Sequence, residues 1–120
     1  MAWWVIEESA LAHRVGSAKI MHEALTHLAV MSRRPRVCIQ VLAADARAYV
    51  GLQGSFSIAE RTGSRSTVYL EDFADGRVTD DGATVAMVSL RFRRLQAQAL
   101  SPDASTDRIE RMAEEIWSTP

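Results

Sequence analysis

Val37-Cys38-Ile39-Gln40-Val41-Leu42 is the run on which the fold turns. Side chains alternate faces along a strand, so Val37, Ile39 and Val41 share one face and Cys38 and Gln40 the other. Two more strand patterns follow, Gly54-Ser55-Phe56-Ser57-Ile58 and Thr67-Val68-Tyr69-Leu70-Glu71. Val68 and Leu70 are expected to join the first strand's apolar face over a core. Tyr69 and Glu71 then stand on the same side as Cys38 and Gln40. A helix or loop covering that side encloses a small, partly polar pocket.

Working outward, residues 3–8 are rich in aromatic and β-branched side chains and suit an earlier strand. Trp4, Ile6 and Glu8 point one way along it, and Trp3, Val5 and Glu7 the other. Ser9 is expected to cap a short helix over 10–14, which Gly16 ends in a left-handed conformation. Ser17 caps a second helix running to about Arg33, with Ile20, Met21, Ala24, Leu25, Leu28 and Met31 at core spacing. Pro35 stops it. Downstream of Leu42, the loop from Ala43 to Gln53 carries Arg47, Tyr49 and Gly51, a usual place for binding residues. Residues 61–66 read as a hairpin connection, and Asp75-Gly76 as a turn before the brief strand Arg77-Val78-Thr79. A helix over 83–100 places Val85, Val88, Phe92, Leu95 and Ala99 on one stripe. Ser101-Pro102 restarts a last helix, a cap followed by proline at the first helical position. That helix sets Ile109, Met112 and Ile116 at core spacing, with Trp117 near its end. The expected class is α+β: one domain over 1–120, a small mixed or antiparallel sheet packed with about four helices, the last two forming a C-terminal pair.

Composition narrows the function. A chain of 120 residues with 48% hydrophobic content can bury a core without staples. A formal net charge of −1 gives no basic footprint for nucleic acid. The single Cys38 excludes an internal disulfide and fits a reducing, cytoplasmic setting; free cysteine is usually buried and inert. No apolar run approaches the roughly 18 residues of a membrane span. The start, Met1-Ala2-Trp3-Trp4, lacks the pattern of a signal peptide.

His22 and His27 invite comparison with the zinc helix motif, but they are five apart, roughly 140° around a helix. No metal site is expected from them. Glu23 and His27 suit a solvated helix face. Arg61, Arg65, Arg91, Arg93 and Arg94 are balanced by nearby acids, and no glycine-rich phosphate loop follows a strand. The carboxyls Glu8 and Glu71 say more. An acid beside aromatics at a strand end is where burial raises a carboxyl pKa toward proton transfer near neutral pH. Tyr49 and Tyr69 add phenolic donors. Trp3, Trp4, Gln40, Arg47, Gln53 and Phe56 complete the expected ligand lining. A bonding role for Glu8 and Glu71, to helix ends or arginines, stands beside this.

Taken together, these segments resemble the actinobacterial domain of unknown function 5753. The resemblance rests on Trp4-Val5-Ile6-Glu7-Glu8-Ser9-Ala10-Leu11, Val15-Gly16, Met21, Leu25, Leu28, Arg34-Pro35, Val37 and Gln40-Val41-Leu42. It continues through Gly51-Leu52, Gly54, Phe56, Val68-Tyr69-Leu70-Glu71, Gly76, Phe92, Leu95 and Ala99-Leu100-Ser101-Pro102. It implies the C-terminal domain of Xre-type, antitoxin-like regulators, which normally follows a helix-turn-helix and works with small proteins encoded alongside. These 120 residues leave no room for that helix-turn-helix, so a free-standing member is expected. Departures cluster in one loop: Ala43, Arg47 and Ser55 replace the family's usual proline, glycine and proline, and Tyr49 stands where histidine is frequent. Asp75 and Gly82 replace a glycine and a proline.

The expected function is a small-molecule-binding, cofactor-independent cyclase or dehydratase acting on a polyketide-like substrate, with Glu71 or Glu8 as acid/base. Positioning a flexible substrate contributes about 7–11 kcal/mol in favourable cases. The alternative is a regulator's effector-binding or dimerisation domain, acting through a protein partner or as a homodimer and not itself binding DNA.

Overall fold

The computed structural model describes residues 2–43, 56–60, 66–71 and 76–118. The elements are β1 (Ala2–Glu7), α1 (Glu8–Ala12), α2 (Ala18–Ser32), β2 (Val37–Leu42), β3 (Phe56–Ala59), β4 (Thr67–Glu71), β5 (Gly76–Thr79), α3 (Gly82–Gln98) and α4 (Pro102–Glu115). This is an α+β chain. It divides into two compact units, one over 1–46 and 98–120 and the other over 47–97. Among the described residues, no helix is long and apolar enough to cross a membrane.

In the first unit β1 and β2 pair in parallel, with Trp3 opposite Cys38 and Ile6 opposite Val41. This corrects the expected single sheet, because β3, β4 and β5 form a separate three-stranded one. The reason lies in the pattern of β2 itself. Cys38, Ile39, Gln40, Val41 and Leu42 are all buried, so both faces are covered. A near-continuous buried run is the habit of parallel strands, whose connection needs an intervening helix. Here α1 and α2 supply that connection. Ile39 and Val41 meet Met21, Leu25 and Ala29 of α2 and Ile109, Met112 and Ala113 of α4 in the unit's core, which Leu11 and Trp117 extend. Burying a side chain such as Ile109 completely contributes about 1.5–3 kcal/mol.

The helix starts are set by short-range bonds. Ser17 Oγ accepts from the Ile20 amide at 3.2 Å, and Ser101 Oγ from the Ala104 amide at 3.2 Å, with Pro102 entering the first turn. α1 begins earlier than expected, at Glu8, and Ser9 lies inside it without capping it. Ser9 donates instead to the Glu7 carboxylate at 3.4 Å. The buried stripe of α2 is rotated from the expected one: Ala29 is in, while Ile20 and Ala24 are exposed. Ile20 lies instead against Gly16, whose φ of +79° places it in the left-handed region, and a Cβ there would stand 3.0 Å from Ile20 Cδ1. Just past α4 the expected Ile116 is exposed and Trp117 takes the core position.

The second unit is an antiparallel meander, β3-β4-β5, followed by α3. Phe56 stands opposite Leu70, and Ile58 opposite Val68, so these four share one face. Phe56 meets Phe92 of α3 edge to face, with centroids 6.3 Å apart. Val68, Val88 and Leu95 are buried. Asp81 caps α3: its carboxylate accepts from the Thr84 amide at 3.1 Å and the Thr84 hydroxyl at 2.9 Å. These bonds hold the Asp81 carboxyl below the usual aspartate range. A lowered folded pKa gives stability that is fully present above the unfolded pKa and is lost as pH falls through the folded value. Asp81→Ala is therefore expected to melt earlier than the parent at neutral pH. That gap should close on acidification below the carboxylate range; a gap constant from pH 7 to pH 2 would refute the cap's charge as its source.

Candidate functional site

Gln40 is the centre of the first unit's polar network. Its Oε1 accepts from the Trp3 indole N–H at 2.8 Å, and its Nε2 donates to the Leu100 carbonyl at 3.0 Å. The same carbonyl accepts from the Ser105 hydroxyl at 3.2 Å, whose oxygen in turn accepts the Val41 amide at 2.8 Å. The Leu100 amide closes the loop by donating to the Val41 carbonyl at 2.9 Å. Parallel pairing to β1 leaves Val41's backbone groups facing outward from the pair. The segment entering α4 therefore seals that edge of β2. Ser105 is completely buried, so its hydroxyl is worth more here than at a surface.

Glu8 is the first residue of α1, not the end of a strand. Its carboxylate accepts from Nε of Arg108 at 3.1 Å and also from Nη2 of the same guanidinium. This ion pair ties α1 to α4, and Glu8 is largely shielded within it. Both guanidinium donors converge on one carboxylate oxygen, Oε1, in a charge-assisted contact. Trp3 and Trp4 are both partly exposed; Trp4 shares its register face with Ile6, Ile39 and Val41, and Trp3 with Gln40. Cys38 is buried, which pushes its thiol pKa up and away from nucleophilic reactivity.

Tyr69 and Glu71 lie in the second unit, on the face of β4 opposite Val68 and Leu70, and both are exposed. Ser57 and Val78 flank Tyr69 across the sheet. The Tyr69 ring lies diagonally over Gly76: a Cβ at that position would fall 2.2 Å from the phenolic oxygen. A side chain at Gly76 would have to displace that exposed ring. Phe56 faces α3 instead. Arg47, Tyr49 and Gln53 fall outside the described residues.

The structure thus joins Trp3 to Gln40 and sets Tyr69 beside Glu71, in two different units. Sequence reading passed over Ser105 and Arg108. Ser105 had a signal: it precedes Ile109 and Met112 at four-three spacing, so it was a polar residue on the core stripe. Arg108 carried none. Among the described residues, no group of three His, Cys, Asp or Glu side chains is placed to hold a metal ion.

These features define an α+β module in two parts, a helix-covered parallel strand pair and an antiparallel meander with its own helix. The chain belongs to the family described as Domain of unknown function (DUF5753), whose model matches residues 1–111. Neither the curated proteins nor the solved structures give a match.

Proposed function

We propose that the chain is a regulator-type interaction domain, an effector-binding or dimerisation module that acts through a protein partner and does not itself bind DNA. The supporting observation is that Glu8 and Gln40, the groups best suited to proton transfer and substrate orientation in the first unit, are engaged by Arg108, Trp3 and Leu100. A net charge of −1 agrees with contact to protein and not to a phosphate backbone. In this reading the module works in the cytoplasm as the regulatory domain of an Xre-type, antitoxin-like actinobacterial regulator. Tyr69 and Glu71 are contact residues: an aromatic ring rimmed by polar groups is a common anchor of protein interfaces.

Calorimetric titration with the small proteins encoded beside the gene tests this. Saturable binding is expected, and Tyr69→Ala should weaken it about tenfold. The competing outcome is the cyclase. Turnover of a polyketide-like intermediate by the purified chain, seen as a change in product mass and abolished by Glu71→Gln, would replace the interaction reading.

A further inference from the structure

α3 carries two apolar seams, and its own unit buries only one of them. Val85, Val88, Phe92 and Leu95 follow a three-four-three spacing, with Val88 and Leu95 fully covered. Ala83, Met87, Leu90, Arg94 and Ala97 follow a four-three-four-three spacing on another side of the helix. All five are exposed, Met87 by 48% and Leu90 by 49%. Four-three spacing is the pattern of a helix that packs along its length against another helix. A solvated face has no need of Met and Leu at its centre.

Charge says what the other helix is. At the helix's start, ahead of its cap Asp81, stands the exposed carboxylate of Asp80. The line therefore reads acidic, small, apolar, apolar, basic, small. Laid against itself in parallel it sets Arg94 on Arg94 and Asp80 on Asp80. Laid antiparallel about a two-fold axis between Met87 and Leu90, it sets Leu90 on the partner's Met87. Arg94 then crosses the partner's Ala83, at the end of the helix that Asp80 precedes, so the guanidinium and that carboxylate stand at the same end of the pair. Small residues at both ends, Ala83 and Ala97, let the two backbones approach. A two-fold contact of this kind is self-complementary: each of its ion pairs occurs twice.

We infer that the exposed seam of α3, Ala83-Met87-Leu90-Arg94-Ala97 with Asp80, is a homodimer interface in which two copies of the chain pair antiparallel. It rests on the dimerisation named in the reading above and gives it a surface, separate from the capture of a different protein at Tyr69. One helix pair buries less than the roughly 800 Å² per partner of a standard interface, so association is weak and concentration-dependent. Like-charge juxtaposition blocks the parallel alternative and gives the pair its direction.

Sedimentation of the full chain over a rising concentration series tests the inference. The mass should climb from one chain toward two, and Leu90→Asp should hold it at one. Asp80→Lys and Arg94→Glu should each weaken self-association about tenfold or more, since each sets like charges together at both ends. Mixed in equal amounts, these two variants should associate again, because each Lys then faces Arg94→Glu's carboxylate and each Asp80 faces Arg94. That recovery also demonstrates that both variants are folded. A parent chain that stays single throughout, a dimer indifferent to Leu90→Asp, or charge variants that do not recover on mixing would overturn it. Partner titration with Leu90→Asp separates the two proposals, since loss of the dimer leaves heterologous binding at Tyr69 intact.

Discussion

Trp117→Ala is expected to lower the unfolding free energy of the first unit by about 3–5 kcal/mol, as large-to-small changes at buried tryptophan do. Trp117 follows α4 and is only 7% exposed. Its indole packs in the cluster that holds Leu11, Met21, Leu25, Ile109 and Met112, and its Nε1–H donates to the Leu11 carbonyl at 2.8 Å. Alanine removes the apolar area, leaves a cavity and orphans a carbonyl at the helix α1 end. Trp117→Phe keeps most of the area and loses the bond, so it should cost about 1–3 kcal/mol. Domains commonly have only about 5–15 kcal/mol in total, so the alanine variant should melt far earlier in urea or heat. The family match ends at residue 111, short of Met112, Ala113 and Trp117. A chain cut after Arg111 is therefore expected not to fold, although it retains every matched residue. A cut chain with the parent's circular dichroism and melting curve would refute the placing of the core.

The local features of this fold were readable from few residues. Ser17, Ser101 and Pro102 set helix starts through bonds made within one turn, so no distant partner was needed to see them. Thr67–Glu71 alternates cleanly and was legible as a half-buried strand. What the sequence hid was pairing. Val37–Leu42 reads as a strand wherever it sits, and only its burial on both faces explains why it lies beside β1 and not in the later sheet. The face of α2 shifted for a related reason. Ile20 has the right spacing for the core but stands exposed beside Gly16, a neighbour that periodicity does not include. At the site, residue type suggested chemistry, whereas partners decide it. Glu8 and Gln40 have the groups for proton transfer and orientation, but their partners Arg108 and Leu100 arrive from 100 and 60 residues away in chain order. Tyr69 and Glu71 did fall on one face, because period two alone places them there.

Ser105→Ala is expected to cost about 1–3 kcal/mol, more than an exposed serine would, because it strands a buried donor. The Ser105 hydroxyl accepts the Val41 amide at 2.8 Å, and both residues are completely buried. No water can replace the lost oxygen without opening the contact between β2 and α4. Alanine has the right size for the site and adds no clash, so the loss reports the bond and not packing. The Leu100 carbonyl keeps its bond from Gln40 Nε2 in the variant, which confines the damage to the Val41 N–H. Amide hydrogen exchange should register this directly: Val41 is protected in the parent and should exchange much faster in Ser105→Ala, while Ile39 keeps its rate. Gln40→Leu removes the other side chain bound to Leu100. Because the two share that carbonyl, their costs should fail to add by about 0.5 kcal/mol or more in a double-mutant cycle. Additive costs with unchanged Val41 exchange would mean that Gln40 and Ser105 act separately, and that β2's edge is held by the Leu100 amide alone.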